Sequence, residues 1–384
     1  MNLETVLVLQ GDGSLGAYEC GVYKSLYKNG IEFDVLAGSS IGAINTSIIT
    51  AAQNADKDVP SILEDFWLTL SENVMLSNYA VSLPYLSSDK IRTILSSLYS
   101  VFYGNPNAFL PKWFMPSSPD YFLPYRWTYL YDTAPLKKTL KHYVDFEMLK
   151  KIDMDKNDEK YSRLIITSTD IQKGEPVIFD TAHMDIDVDK IVACAGYPFY
   201  GIRWTEKDGR YLWDGSLLTN TPMMEVMRAS PVINKRFYIV DVFPRQQKEI
   251  PDDMVGVFHR ARDIIFMDKT DKNVEMLKVN EKYLNLLKRI YSIINSDDAK
   301  IDPKTKEKLK ELSYEYDSLN EKYGAAITDV IRIDKKEDSL HYLFEDADFS
   351  TYRIKKLISE GEKDAEKAIG REKEKEDRDV VVHV

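Results

Sequence analysis

Val6-Leu7-Val8-Leu9-Gln10-Gly11-Asp12-Gly13-Ser14-Leu15-Gly16 and, one helix later, Phe33-Asp34-Val35-Leu36-Ala37-Gly38-Ser39-Ser40-Ile41-Gly42 decide the fold. The unbroken apolar run Val6 to Leu9 is what a strand buried on both faces of a parallel sheet looks like. Beyond the glycine turn, Leu15, Tyr18, Val22, Leu26 and Tyr27 recur at helical spacing as far as Asn29-Gly30, a helix stop. Phe33 to Ala37 reads as the next strand and Ile41 to Ala52, rich in alanine and isoleucine, as a helix able to pack close to it. The opening is a β-α-β-α unit, and the chain is of the α/β class.

The two glycine turns have competing uses. Gly11-x-Gly13-x-x-Gly16 has dinucleotide-binding spacing. A nucleotide site, however, wants an acid near the C-terminal end of the second strand. That place holds Gly38, Ser39 and Ser40, while Glu32 and Asp34 stand at its beginning, so the spacing is a weak signal for a cofactor. Gly38-Ser39-Ser40-Ile41-Gly42 fits Gly-x-Ser-x-Gly, a strand-to-helix turn so tight that glycines must flank the serine and push its hydroxyl outward. Ser40 is the candidate nucleophile, with Gly38 and Gly42 as the elbow glycines. The first turn then gains another use: the backbone N–H groups of Gly11, Asp12 and Gly13, beside a helix N-terminus, form a nest for an oxyanion developing on a substrate of Ser40.

A serine nucleophile needs a base. None of His142, His183, His259, His341 and His383 lies in a glycine-bounded turn, and each reads as structural. A Ser-Asp-His order ending at His259 would suit an α/β-hydrolase, but that fold spends several strands before its elbow, and here the elbow follows the second. Asp214-Gly215, after the short strand Tyr211 to Trp213, is the better candidate, since a carboxylate on a tight turn can accept a hydroxyl proton. An ordinary Asp-Gly turn is the competing reading.

In order and spacing, Gly11-Asp12-Gly13-Ser14-Leu15-Gly16, Gly38-Ser39-Ser40-Ile41-Gly42 and Asp214-Gly215-Ser216 resemble the three signatures of patatin-like phospholipases. The resemblance implies a three-layer α/β/α sandwich with a mostly parallel sheet. It also implies a Ser-Asp dyad of Ser40 and Asp214 working without histidine or metal, and an oxyanion hole from the backbone of Gly11, Asp12 and Gly13. The chain departs from the family at three points: Asp12 stands where a second glycine is usual, Leu15 where a basic residue is frequent, and Ser216 where a small residue closes the aspartate turn. Asp12 is tolerable in an oxyanion loop only if its backbone conformation is open to a residue with a side chain and its carboxylate points away.

The likeness covers about residues 4 to 243, which suggests a catalytic unit over 1–245 and a mainly helical extension over 246–384. Within the first unit, an insertion over about 73–132 turns sharply aromatic and proline-rich between Val101 and Tyr131, and reads equally as a lid or as a loop held by its aromatics. In the extension, Ala326 to Ile333 resembles a strand. Asp348-Phe349-Ser350 opens a final helix with a capping serine, and its Gly361 and Ala365 resemble the helical extension of a bacterial patatin-like subgroup.

Composition sets the remaining bounds. With 384 residues, 44% of them hydrophobic and 29% charged, the chain is globular. A net charge of −11 argues against nucleic acid and against anionic membranes, but leaves open a local apolar contact with a lipid surface. Cys20 and Cys194 are too few for a disulfide framework, and Met1-Asn2-Leu3-Glu4 lacks the basic start of a signal peptide, so the expected location is cytoplasmic. The expectation is a lipid acyl hydrolase that needs no cofactor. The alternatives are a lipid-binding relative that has lost turnover, and a homodimer formed through the C-terminal helices.

Overall fold

The computed structural model describes residues 3–71, 89–116, 121–152, 161–247, 250–267, 269–294, 303–336 and 344–382. His341, His383 and the parts of the aromatic insertion at 73–88 and 117–120 lie outside them. The opening unit forms as its hydrophobic pattern directs, with β1 (Leu3–Leu9), α1 (Gly16–Lys28), β2 (Val35–Ser39) and α2 (Ile41–Asn54). Next come α3 (Val59–Ser71), α4 (Asp89–Tyr103), the two-residue strands β3 (Leu110–Pro111) and β4 (Tyr131–Asp132), and α5 (Ala134–Tyr143). A hairpin of β5 (Arg163–Asp170) and β6 (Glu175–Asp180), then α6 (Val188–Ala193), lead to the hairpin of β7 (Thr205–Lys207) and β8 (Arg210–Asp214). After α7 (Met223–Ala229) and β9 (Asn234–Asp241), the C-terminal part adds α8 (Met254–Met267), α9 (Lys269–Ile294), α10 (Pro303–Tyr323), β10 (Ile327–Asp334) and α11 (Thr351–Val382).

One sheet runs in the order β10-β9-β1-β2-β5-β8-β7, with β6 also on β5. The five strands from β10 to β5 are parallel. The pairs of β5 with β6, β5 with β8 and β7 with β8 are antiparallel. Alternation along the strands divides the apolar residues between two faces. Leu7, Leu9, Leu36, Leu164 and Ile166 pack under α1, α2, α3 and α11, whereas Val6, Val8, Val35, Ala37 and Ile165 pack against Met223 and Val226 of α7 and Val274 and Leu277 of α9. The result is the α/β/α sandwich with a mostly parallel sheet that the resemblance implied.

The C-terminal part is woven into this frame. β10 adds the outer parallel strand beside β9, and α11 lies on α1 at a crossing where the backbones nearly touch. A Cβ on Gly21 would sit 1.9 Å from the Ile358 carbonyl oxygen, and one on Gly361 would sit 2.1 Å from that of Tyr18. The capping serine expected at the start of α11 is present, Ser350 Oγ accepting from Arg353 N–H at 3.2 Å. Among the described residues, no helix is long and apolar enough to cross a membrane.

One detail of register positions the site. β2 pairs with β5 only as far as Ser39 opposite Thr167. At the next residue of β5, Ser168 has Val177 of β6 on one flank and Asp214 of β8 on the other. β8 therefore occupies the flank that β2 has just vacated and runs toward it from the opposite direction. The C-terminal ends of β2 and β8 meet head to head on β5, bringing residues 40 and 214 together although their strands do not pair.

Candidate active site

Ser40 leaves β2 with φ 53° and ψ −128°, a conformation that L residues rarely adopt, and α2 begins at the next residue. Such a conformation costs on the order of 1–3 kcal/mol and persists only where the surroundings impose it. They do so here: a Cβ on Gly38 would lie 2.3 Å from the Gly42 carbonyl oxygen, and one on Gly42 would lie 2.4 Å from that of Leu9. Both elbow glycines are thus required by close backbone approach.

Ser40 Oγ donates a hydrogen bond of 2.6 Å to Asp214 Oδ2. The other carboxylate oxygen, Oδ1, accepts from the Ser216 backbone N–H at 2.8 Å and from Ser216 Oγ at 2.7 Å. Ser216, a departure from the family pattern, is thereby a second donor that holds the carboxylate with Oδ2 free for Ser40. Asp214 is fully buried. Burial pushes its carboxyl up to about 6 against the pull of these hydrogen bonds, with no cation among the causes. Its turn is fixed by Gly215, where a Cβ would lie 2.2 Å from the Thr167 carbonyl oxygen.

The first glycine turn passes directly beside the elbow. A Cβ on Gly11 would fall 2.1 Å from Ser40 Cβ and 2.9 Å from Ser40 Oγ. The Gly11 N–H donates to Asn220 Oδ1 at 3.1 Å. Gln10, one residue earlier, donates to Thr221 Oγ1 and to Asp241 Oδ1 at 2.8 and 2.6 Å, so the loop after Asp214 is stitched to the loop after β1. Asp12 has φ −170° and ψ 71°, extended backbone open to any residue. Its Oδ2 lies 3.5 Å from the Arg262 guanidinium of α8. Burial raises the Asp12 carboxyl to about 7, with Arg262 pulling it down and Asp346, Glu345 and Asp263 pushing it further up.

Arg262 in turn pairs with Glu345 at 3.0 Å and Asp263 at 3.3 Å. Burial alone would raise Glu345, but the hydrogen bond with His259 Nδ1 at 2.9 Å and the Arg262 charge hold it at about 2. His259 is thus committed to an ion cluster, while His142 is exposed and His183 lies on the surface beside Asp180. The segment carrying Glu345 also buttresses the glycine turn: Ser14 Oγ donates to the Glu345 carbonyl, and a Cβ on Gly13 would meet the Asp346 carbonyl oxygen at 2.4 Å.

Over Ser40 opens a cavity of about 350 Å³ walled largely by apolar side chains, among them Ile44, Leu70, Phe109, Leu136 and Phe349. Its size is that of a small-ligand site. Val101, in α4, and Phe109, Leu130 and Tyr131 come from the aromatic stretch and contribute to the cavity wall. Leu130, Phe199 and Phe344 line the cavity and remain 43%, 80% and 37% exposed, which marks its mouth. Among the described residues, no group of three or more His, Cys, Asp or Glu has an arrangement fit for a metal ion.

The family model for patatin-like phospholipase matches residues 7–227. The chain belongs to the patatin-like phospholipase family. A search of curated proteins finds no match. Among solved structures, the patatin-like chain is similar to VipD from Legionella pneumophila, at 12% identity and a TM-score of 0.37, over 96% of this chain and 67% of that one. It is similar also to the type III effector ExoU, at 11% identity and a TM-score of 0.34, over 97% of this chain and 53% of that one. Full-length ExoU of Pseudomonas aeruginosa in complex with SpcU matches at 17% identity and a TM-score of 0.28, over 68% of this chain and 47% of that one. The chain thus spans about half the length of the ExoU chains it matches.

Sequence reasoning placed Ser40, Asp214 and the glycine turn, and the structure brings them together. It did not find Arg262, Glu345 or Asn220. The available signal was Asp12 itself, an acid in a glycine turn expected to face an anion, which calls for a nearby cation, but nothing local distinguishes Arg262 among 51 lysines and arginines.

Proposed function

We propose that this patatin-like chain is a lipid acyl hydrolase of the phospholipase or lysophospholipase type, working through a Ser40–Asp214 dyad and an acyl-enzyme. The observation that carries the reading is the 2.6 Å hydrogen bond from Ser40 Oγ to a buried carboxylate whose own affinity for protons burial has raised to about 6. A group poised there is largely ionised at neutral pH and still basic enough to take a proton in a transition state.

As Ser40 Oγ attacks the acyl carbonyl, its proton passes to Asp214 Oδ2 and the carbonyl oxygen becomes an oxyanion. Of the three candidate donors, Gly11 N–H is already spent on Asn220, while those of Asp12 and Gly13 have no hydrogen-bond partner among the described residues. These two N–H groups receive the oxyanion, and Gly11 contributes its lack of a side chain. Collapse of the tetrahedral intermediate breaks the ester C–O bond, and the proton on Asp214 goes to the leaving alkoxide. Water then attacks the acyl-enzyme, gives its proton to Asp214 and releases the carboxylic acid, with the proton returning to Ser40. The mechanism calls for no cofactor.

The apolar walls suit one acyl chain, and the exposed rim of Leu130, Phe199 and Phe344 suits transient contact with a lipid surface. A fluorophosphonate probe tests the chemistry: it labels the wild-type chain at Ser40 and fails to label Ser40→Ala. Equal labelling of the two would overturn the reading. Turnover of a nitrophenyl ester, lost in Ser40→Ala, separates an enzyme from a lipid-binding relative.

A further inference from the structure

We infer that Arg262, which lies outside the stretch matched by the family model, is a positioning residue of the oxyanion loop. It cancels the charge of Asp12 and holds that carboxylate away from the place where the tetrahedral oxyanion forms. The inference rests on the serine hydrolase reading above and says what that chemistry requires of a region far along the chain.

The geometry supplies the reasons. Asp12 is buried, and its backbone lies in the loop that faces Ser40. An ionised carboxylate on that loop would oppose a second negative charge on the substrate oxygen, most strongly where water is excluded. Asp12 Oδ2 accepts no hydrogen bond among the described residues, and its compensation is the Arg262 guanidinium at 3.5 Å. Leu15 supplies no charge to this turn.

Arg262 is itself aimed. It is buried, Glu345 and Asp263 hold its Nη2 edge, and its guanidinium lies 5.7 Å from the ring of Phe243, another cavity residue. His259 Nδ1 meets the same Glu345 oxygen, Oε1, at 2.9 Å. The groups facing Asp12 are therefore one cation and the three acids Asp263, Glu345 and Asp346, so removal of the cation leaves a carboxyl that is driven toward its protonated form near neutrality and that, once ionised at higher pH, has no compensating charge. Burial and those acids push the Asp12 carboxyl up, and the Arg262 charge counters them.

The simpler account is that Arg262 only anchors the turn carrying Glu345. The two accounts differ in their dependence on residue 12. In the 384-residue chain, kcat and KM for a nitrophenyl ester are measured at neutral and at alkaline pH for wild type, Arg262→Met, Asp12→Asn and the double variant, with Ser40→Ala as the blank. Charge cancellation predicts that Arg262→Met lowers kcat by on the order of 10²-fold at alkaline pH, where Asp12 is ionised, comparable to loss of an oxyanion donor, with KM changed little and with the loss shrinking toward neutral pH as the carboxyl takes a proton. In the Asp12→Asn background the same change lowers kcat by no more than about threefold, because no charge is left to cancel. Arg262→Lys, which keeps the charge, retains most of the rate and reads the same quantity should Arg262→Met fail to fold. An equal loss in both backgrounds, or a loss in Arg262→Lys as large as in Arg262→Met, would overturn the inference. Wild-type turnover no greater than that of Ser40→Ala would instead overturn the hydrolase reading itself.

Discussion

Two buried aspartates, Asp214 and Asp12, belong to the loops around Ser40, and the structure gives them different partners. Asp214 is surrounded by neutral donors: the hydroxyls of Ser40 and Ser216 and one backbone N–H. Asp12 faces a guanidinium and accepts no hydrogen bond at Oδ2 among the described residues. Burial lifts both carboxyls, Asp214 to about 6 and Asp12 to about 7, so the difference lies in the partners: hydroxyl and N–H donors aim Asp214 at Ser40, whereas at Asp12 the Arg262 charge works against burial and three neighbouring acids. The contrast is between a carboxylate aimed at the Ser40 hydroxyl and one turned toward a guanidinium, and the same residue type serves both.

The most severe way to break this contrast is Asp214→Asn. Its amide keeps the shape and an acceptor for Ser216 but cannot take the Ser40 proton, so kcat/KM for an ester is expected to fall about 10⁴-fold. The same variant is expected to be more stable than wild type at pH 8. The folded carboxyl is raised from 3.8 to about 6, so between those values the native state holds a proton that the unfolded state has lost. Stability therefore declines as pH rises through that window, and Asn escapes the decline. A thermal melt at pH 8 showing Asp214→Asn below wild type would contradict the assigned burial penalty.

Ser216→Ala sharpens the contrast less drastically. Wild-type kcat/KM should rise along an acid limb centred near 6, as Asp214 ionises. Loss of the Ser216 hydroxyl removes a bond to the charged form, so the limb is expected to move to higher pH, with roughly a tenfold loss of rate near neutrality. A limb that stays in place would show that the hydroxyl does not support the carboxylate. The smallest effect on the chemistry belongs to Gly361→Ala, at the crossing of α1 and α11. Its Cβ would strike the Tyr18 carbonyl oxygen at 2.1 Å, and a destabilisation of about 1–3 kcal/mol, read by thermal unfolding, is expected.

The two sides of the site were unequally legible. The Ser40 side carries its information locally: a buried strand, a glycine-bracketed elbow and an Asp-Gly turn are each written in a few consecutive residues, because backbone strain and close approach restrict which side chains fit. The opening of the sheet was legible for the same reason, and Ala326 to Ile333 already read as a strand, now β10 at Ile327–Asp334. The Asp12 side is made of contacts between residues 12, 262 and 345, each an unremarkable charge in its own stretch of sequence. Nor did the apolar period of β10 reveal that it pairs with β9, because pairing partners are set by tertiary packing, which a single strand's pattern does not encode.

The head-to-head meeting of β2 and β8 on β5 makes the distance between Ser40 and Asp214 a counted quantity, set in whole residues of pairing. A slip of β8 by one residue would shift Asp214 by about 3.3 Å and turn its side chain to the opposite face of the sheet. Intermediate separations are not available to a paired strand. Changes elsewhere in the protein can thus alter how often the two strand ends are assembled or how well they are covered, but the backbone spacing of the proposed pair changes only in whole-residue steps while both strands stay paired.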